Sequence, residues 1–370
     1  MKQAIVMYAA SETDANLYYA TRFLVGDPVP FIQVGRRKML VLSDLELGRG
    51  RDQAQVDEVL SYSEIQRSLG KKASLARVIE SVLRDHGVDR CVVPANFPLE
   101  LADALRARGI RVRPRPHPFY PERVIKRPEE IRAIEAAQRA TERAVEAALD
   151  VLRRARIRGH KIYSNGQVVT SEFLKRVIDV RLMEENCVAR NTIVAGGDQG
   201  CDPHHRGCGP LRPDQTIVID VFPRSADTLY YADMTRTVVK GTASPEVRKL
   251  YAAVREAQEA GIARIRHGVQ GRTVHREVQR VFERLGYRTE PRNGKMVGFF
   301  HGTGHGVGLD IHEAPSVSNR PSRLVEGAVV TLEPGLYYFG VGAVRLEDMV
   351  LVTRKGCRNL TRFPKQLELK

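Results

Sequence analysis

The sequence predicts a two-domain chain of mixed α and β structure, and three observations predict it. Its 370 residues exceed one average domain and leave room for two. Up to about residue 120, short apolar runs alternate with helical spacing. The stretch RPRPHPFYPERVIKRPEE is rich in proline and charge and reads as a linker, after which a second series of helices and strands begins. The expected domains are 1–121 and 122–370.

In the first domain, LYYATRFL and PFIQVGRRKMLVLS carry strand-like runs of Val, Ile, Leu and Tyr. SLARVIESVLRDH places Leu75, Val78, Ile79, Val82 and Leu83 at helical spacing, and Gly87 reads as its stop. DRCVVPA reads as a short buried strand. In the second domain, Pro128 suits the first turn of a helix, where its missing N–H costs nothing, and Glu129 and Glu130 favour the same end through the dipole. That helix is expected to run to about Arg154 on a stripe of Ile131, Ile134, Val145, Leu149 and Leu152. VRKLYAAVREAQEAGIARI and TVHREVQRVFERLGY read as further helices. TIVIDVF, TRTVVKG, AVVTLEPG and AVRLEDMVLVT read as strands.

Composition removes several function classes. The net charge is +15, but the arginines are spread along the chain without a basic run, and tryptophan is absent, which argues against a nucleic-acid partner. Five cysteines with no C-x-x-C pair argue against a disulfide framework and a structural zinc. The N-terminus is too weakly charged and apolar for a secretory signal, and no run approaches the roughly 20 apolar residues of a membrane span. The expected location is the cytoplasm.

The chemistry is carried by acids and histidines in unusual places. Asp220 ends the apolar strand TIVID, where taken alone it reads as a strand-end aspartate making a turn, and Asp233 lies in the strand-like YYADMTRTVV, where a carboxylate must be paired, hydrogen-bonded or metal-bound. Glu333 lies in AVVTLEPG. Glu347 follows Arg345 by two residues in AVRLEDMVLV, on the same face of a strand, so Arg345 is a candidate ion-pair partner for it. FFHGTGHGVGLDIHEAP reads as a loop and interleaves His301, His305 and His312 with four glycines, a density that lets backbone bend sharply or approach a ligand. GCDPHHRGCG adds His204 and His205. Four carboxylates and a histidine make a hard, oxygen-rich set suited to paired Mn²⁺, Co²⁺, Fe²⁺ or Zn²⁺.

IVID, ADMTRT, HGTGHGVGLDIHEAP, TLEPG and VRLED stand in an order that resembles the pita-bread metallopeptidases: Xaa-Pro aminopeptidases, prolidases and methionine aminopeptidases, together with the metal-free creatinases. The resemblance covers about residues 122–353 and opens on VIKRPEEIRAIEAA. It implies an α+β pita-bread catalytic domain holding two divalent metal ions, Mn²⁺ first among them. Asp220 and Asp233 would bind one metal, Asp233 and Glu347 would bridge, and His305 and Glu333 would bind the second. A hydroxide between the metals would be the nucleophile and Glu333 its proton shuttle. By the same resemblance, His204, after Pro203, handles the leaving-group side. His301 and His312 hydrogen-bond the substrate and the tetrahedral intermediate, and Arg345 steadies the bridging Glu347.

DANLYYATRFLVGDPVPFIQV resembles the start of the smaller α/β domain that precedes the catalytic domain in prolidases, Xaa-Pro aminopeptidases and creatinases. The implied function is hydrolysis of short peptides at Xaa-Pro bonds by a homodimer. The alternatives are a C–N hydrolase acting on a modified amino acid and a binding protein that kept the fold without activity. Three departures from the family pattern concern the pocket, and the first is that His205 follows His204, so the assignment between them rests on Pro203 alone. Thirteen positions separate Asp220 from Asp233, with the extra length in FPRSADTLYY, and Phe222 stands where the family commonly has glycine.

Overall fold

A computed structural model describes residues 3–70 and 73–370, which form two compact units, 1–123 and 124–370. The first unit is built on a six-stranded mixed sheet. Its elements are β1 (Ala4–Ala9), α1 (Ala15–Thr21), β2 (Val29–Val34), β3 (Arg37–Leu42), α2 (Asp44–Gln53), β4 (Glu58–Ser61), α3 (Tyr62–Leu69), α4 (Leu75–Asp85), β5 (Arg90–Pro94), α5 (Leu99–Arg106) and β6 (Arg111–Arg115). The strand order is β4-β3-β2-β1-β5-β6. The β2–β3 hairpin turns at Gly35, whose φ of 63° lies where side chains are strained. α4 buries Ile79, Val82 and Leu83 in one cluster with Ala4 and Val6 of β1 and Cys91 and Val93 of β5, and Gly87, at φ 67°, stops it.

LYYATRFL departs from the expectation of a strand. Its residues 17–21 are helical, in α1, because the Asp14 carboxylate accepts the Leu17 N–H at 2.8 Å and Leu17, Ala20 and Thr21 share a buried face. The capping bond and the 3.6-residue burial outweigh the strand propensity of the adjacent tyrosines.

The second unit is built on two larger sheets, each covered by a helix pair, with smaller two- and three-stranded sheets beside them. Its elements are α6 (Pro128–Arg154), α7 (Ser171–Met183), β7 (Ile193–Gly196), β8 (Thr216–Val221), β9 (Met234–Lys240), α8 (Pro245–Arg264), α9 (Gly271–Arg284), β10 (Gly304–Gly306), β11 (Glu313–Val317), β12 (Val329–Leu332), β13 (Gly335–Tyr338), β14 (Gly342–Arg345), β15 (Asp348–Val352), β16 (Cys357–Asn359) and β17 (Glu368–Leu369), with short hairpins between them. One sheet runs β7-β8-β9-β17 and the other β11-β10-β12-β15-β16. α6 begins at Pro128, and the Glu130 carboxylate takes the Arg127 N–H at 2.8 Å.

Alternation along the strands decides where the polar groups go. Ile217, Ile219 and Val221 of β8 and Met234 and Val238 of β9 pack with Val145, Leu149 and Leu152 of α6 and Leu174 and Ile178 of α7. Each such side chain contributes about 1.5–3 kcal/mol on burial. The period of two then turns Val218 and Asp220, and Thr235 and Thr237, to the opposite face. In the second sheet, Val330, Leu332, Val350 and Val352 pack with Ile265 and Val274 of the α8–α9 pair. The polar inner ends of the two sheets hold the carboxylates.

Candidate metal centre

Asp220 lies one residue from the end of β8, opposite Thr235 of β9. Asp233 stands immediately before β9. The residues between them form an excursion that returns through an antiparallel pairing of Val221 with Met234, so the extra length moves neither carboxylate off the strand ends. Glu333 follows β12, its N–H donating to the Thr303 carbonyl at 2.8 Å. AVRLEDMVLV divides into β14 and β15, with Glu347 in the break. There Glu347 is fixed twice by Thr235: its N–H donates to the Thr235 carbonyl at 3.0 Å, and the Thr235 hydroxyl donates to Oε2 at 2.8 Å.

His305 sits on β10, in the motif read from sequence as a loop. The close pairing of β10 demands its glycines. A Cβ at Gly304 would collide with the Thr331 carbonyl, and one at Gly306 with the Ala314 carbonyl. Gly304→Ala is therefore expected to cost at least ~3 kcal/mol of stability, read from a denaturant titration; a cost under ~1 kcal/mol would contradict the crowding. The His305 Nδ1–H donates to the Gly306 carbonyl at 3.2 Å, which leaves Nε2 facing Asp233 Oδ2 and Glu333 Oε1, each at 3.6 Å. Those separations are too long for hydrogen bonds and suit a cation held between the groups.

Asp233, His305 and Glu347 present ligand atoms within 4.8 Å of one another. Asp220 Oδ1, Asp233 Oδ1 and Glu347 Oε1 are buried and have no hydrogen-bond partner among the described residues. Buried carboxylate oxygens left this way are costly. Burial, then the charge of Glu347, raises Asp233 and Glu333 well above the usual carboxylate range. Burial, then Asp220, pushes Glu347 up to about 7. Burial also holds the His305 ring down to about 3, so it is a neutral imidazole with a free lone pair. Orphaned hard oxygens, like charges packed together and a neutral imidazole are what a divalent cation would satisfy.

The titration has a measurable sign. A Glu347 carboxyl raised in the fold stabilises the metal-free protein below the ordinary value of 4.5, and that stabilisation is lost as pH rises through about 7. The loss is about 3 kcal/mol from this group, with Asp233 and Glu333 acting in the same direction. The melting temperature of metal-free protein is expected to fall across that window and to recover when a divalent metal is added. A midpoint that rises with pH in the absence of metal would contradict it.

All nine residues named from sequence line one cavity of about 480 Å³: Asp220, Asp233, His305, Glu333, Glu347, His204, His301, His312 and Arg345. His204 faces this cavity, whereas His205 lines a neighbouring one and takes the Gly207 N–H on its Nδ1. The His312 ring stands edge-on to His305 with centroids 4.2 Å apart. Arg345 departs from expectation. Its Nη2 donates to Asp220 Oδ2 at 2.7 Å, and its partner is thus Asp220 rather than Glu347. Its Nη1 donates to the Tyr337 hydroxyl at 3.2 Å, which donates in turn to His301 Nε2 at 2.7 Å. The His301 Nδ1–H is given to the Gly302 carbonyl at 2.7 Å, so both ring nitrogens are engaged within the protein. Burial keeps His301 neutral, its value lowered to about 3.

Tyr337 was not legible in the sequence, because nothing in TLEPGLYY separates it from its neighbours. Its hydroxyl joins Arg345 to His301, and Gly335 leaves the room that hydroxyl occupies. Tyr337→Phe is expected to cost about 1–3 kcal/mol in stability and to leave bound metal unchanged, checked by thermal melting and elemental analysis. Loss of metal in this variant would contradict the chain of bonds described.

A model of metallopeptidase family M24 matches residues 132–354. An Xaa-Pro dipeptidase of Pyrococcus furiosus is 31% identical over 247 residues, which is 66% of this chain and 65% of that protein. Xaa-Pro aminopeptidase 1 of Streptomyces coelicolor is 36% identical over 266 residues, 65% of this chain and 52% of that protein. The matched region thus spans 65% and 52% of the length of these two relatives. Among solved structures, an Xaa-Pro dipeptidase from Bacillus anthracis has a TM-score of 0.83 at 23% identity, covering 99% of this chain and 95% of that one. The prolidase of Pyrococcus horikoshii OT3 has a TM-score of 0.81 at 22% identity, with coverage of 99% and 95%. The fold is shared with these proteins: an N-terminal domain ahead of a pita-bread domain.

Proposed function

This chain belongs to metallopeptidase family M24, and from that premise we propose that it hydrolyses short peptides at Xaa-Pro bonds with two divalent metal ions. The observation that carries the reading is the set of three buried carboxylate oxygens, on Asp220, Asp233 and Glu347, that have no hydrogen-bond partner among the described residues beside a neutral His305. Asp220 and Asp233 would hold one metal, and His305 and Glu333 the other, with Asp233 and Glu347 shared. Bound there, the metals would supply an activated water and polarise the scissile carbonyl. Mn²⁺ is the first candidate, with Co²⁺, Zn²⁺ and Fe²⁺ compatible with the same donors.

The chain's own groups do the rest. Arg345 occupies Oδ2 of Asp220 and so aims its other oxygen, Oδ1, away from the guanidinium. Thr235 does the same for Glu347, leaving Oε1 unpartnered. Such partners fix ligand orientation. Glu333 is the least buried of the four carboxylates, with 22% of its side chain exposed, and that access to the cavity suits it to take a proton and return it at the leaving nitrogen. His204 and His312 are exposed and reach the same cavity, where they can donate to a peptide carbonyl or terminal carboxylate.

Proline after the cut bond has an amide nitrogen without hydrogen, so an enzyme that recognises that N–H fails there. Carbonyl polarisation does not need it. The printed names of the relatives, Xaa-Pro dipeptidase and Xaa-Pro aminopeptidase, support the same preference. The proposal includes a cytoplasmic homodimer on the family resemblance, and light scattering that gives the mass of one 41.5 kDa chain would remove the dimer. No helix among the described residues is long and apolar enough to cross a membrane.

The test is hydrolysis of Ala-Pro, Ala-Ala and Ala-Pro-Ala by metal-stripped protein resupplied with Mn²⁺. Cleavage of Ala-Pro but not Ala-Ala is expected. Cleavage of the tripeptide as well would make the protein an aminopeptidase rather than a dipeptidase. No cleavage with any of the four metals would overturn the reading.

A further inference from the structure

Glu313 follows His312 and opens β11, with Gly306 of β10 as its register partner. Residues 307–312 are therefore an excursion between two paired positions, and the excursion carries His312. The Glu313 side chain folds back under it. A Cβ at Gly308 would collide with the Glu313 carboxylate, so the glycine leaves the room this carboxylate fills. The Asp310 N–H points at Oε2 at 3.5 Å. The turn is also tied by the Gly308 N–H to the Asp310 carbonyl at 3.1 Å, and by the Tyr231 N–H to the Gly308 carbonyl at 2.8 Å.

The charge of Glu313 is met by Lys126, whose Nζ lies 2.5 Å from Oε1; the two side chains are 2% and 10% exposed. Lys126 comes from the segment that leads into α6, and it is anchored there. Its N–H donates to the Gly327 carbonyl at 2.9 Å, and Nζ also reaches the Val124 carbonyl at 3.4 Å. An ion pair this deeply buried is weak evidence for net stability, because desolvation offsets much of the attraction. Its geometry is nonetheless specific. It ties the entry to the catalytic unit, 187 residues away in sequence, to the underside of the turn that holds the His312 ring 4.2 Å from that of His305.

We propose that the Lys126–Glu313 pair is a positioning device for the 307–312 turn, fixing His312 against His305 so that it meets the substrate. Neither residue lines the cavity that holds the candidate metal ligands. The inference rests on the peptidase reading for its rate effects but not for its structural ones.

The test uses the full-length protein with Lys126→Met, Glu313→Gln and the two combined. Three quantities are read: melting temperature, Mn²⁺ bound per chain, and kcat and KM on Ala-Pro. A fourth is activity-free: the NOE between the His305 and His312 rings in the metal-free protein with labelled histidine. Each single variant removes one half of a buried ion pair and is expected to melt lower, and the double variant to regain most of that loss. The device predicts that the double variant still loses the NOE and retains at least a tenfold deficit in kcat/KM with full metal content. A double variant with normal melting, an intact NOE and wild-type kcat/KM would make the pair merely structural and overturn the proposal. If the wild-type protein cleaves no peptide, the peptidase reading falls on its own, and the NOE alone still decides the positioning claim.

Discussion

Asp233→Ala is expected to lower kcat/KM on Ala-Pro by about four orders of magnitude, ~5.5 kcal/mol of transition-state stabilisation. The expectation follows from its place in the site. Asp233 is 4% exposed, shares the cluster with His305 and Glu347, and its Oδ1 has no hydrogen-bond partner among the described residues. In the proposed arrangement it is one of two carboxylates shared by both metals, so its loss removes more than one metal–ligand bond. The variant also separates catalysis from folding. In the metal-free protein Asp233 is a buried carboxylate raised by burial and by Glu347, Asp220 and Glu333. Its removal relieves that crowding, so metal-free Asp233→Ala should melt no lower than metal-free wild type at pH 7.5. A variant that is both inactive and unfolded would leave the ligand assignment without support, and one that keeps wild-type activity with full metal content would refute it.

Arg345→Met carries the second large effect, on stability. Arg345 is 3% exposed, and its guanidinium is shared by Asp220, Tyr337, Thr235 and the Pro203 carbonyl. Removing one partner of a buried, hydrogen-bonded charge pair costs about 3–5 kcal/mol, because the other charge stays behind. The abandoned partner is Asp220, a proposed metal ligand. The loss should therefore be larger without metal than with it, since a bound cation compensates the orphaned carboxylate. Denaturant titrations with and without Mn²⁺ check this. Equal losses in both conditions would mean that Asp220 does not face a metal. Arg345→Lys should recover only part of the stability, because a single ammonium cannot reproduce the guanidinium fork.

The proposed ligand set was the most legible part of the sequence, for a physical reason. A carboxylate inside a strand-like run is expensive unless something meets it, so Asp233 stands out in ADMTRT without any knowledge of the fold, whereas Asp220, at a strand end, stands out only as part of the ordered set. The glycines of HGTGHGVGLDIHEAP were legible as crowding, although the motif proved to contain a short strand rather than only a loop. Gly304 and Gly306 are there because paired strands approach too closely for a Cβ, a constraint that sequence shows only as density.

Partners were less legible than ligands. The spacing of two between Arg345 and Glu347 suggested a shared face, but the chain breaks between β14 and β15, and Arg345 turns to Asp220, 125 residues earlier. Tyr337 and Lys126 act through contacts of long sequence separation or through unremarkable neighbours, and local spacing carries no trace of either. LYYATRFL was misread because the tyrosines favour a strand locally, whereas the single bond from Leu17 N–H to Asp14 and the packing of Leu17 and Ala20 decide for a helix.

The most direct measurement is calorimetric titration of metal-stripped wild-type protein with Mn²⁺, with Ala-Pro hydrolysis followed at each addition. The account requires two ions bound per chain, protons released as the raised carboxyls of Asp233, Glu333 and Glu347 ionise, and hydrolysis that appears only as metal is bound. Full hydrolysis of Ala-Pro before any Mn²⁺ is added, or binding without proton release at pH 6 to 7, would contradict it.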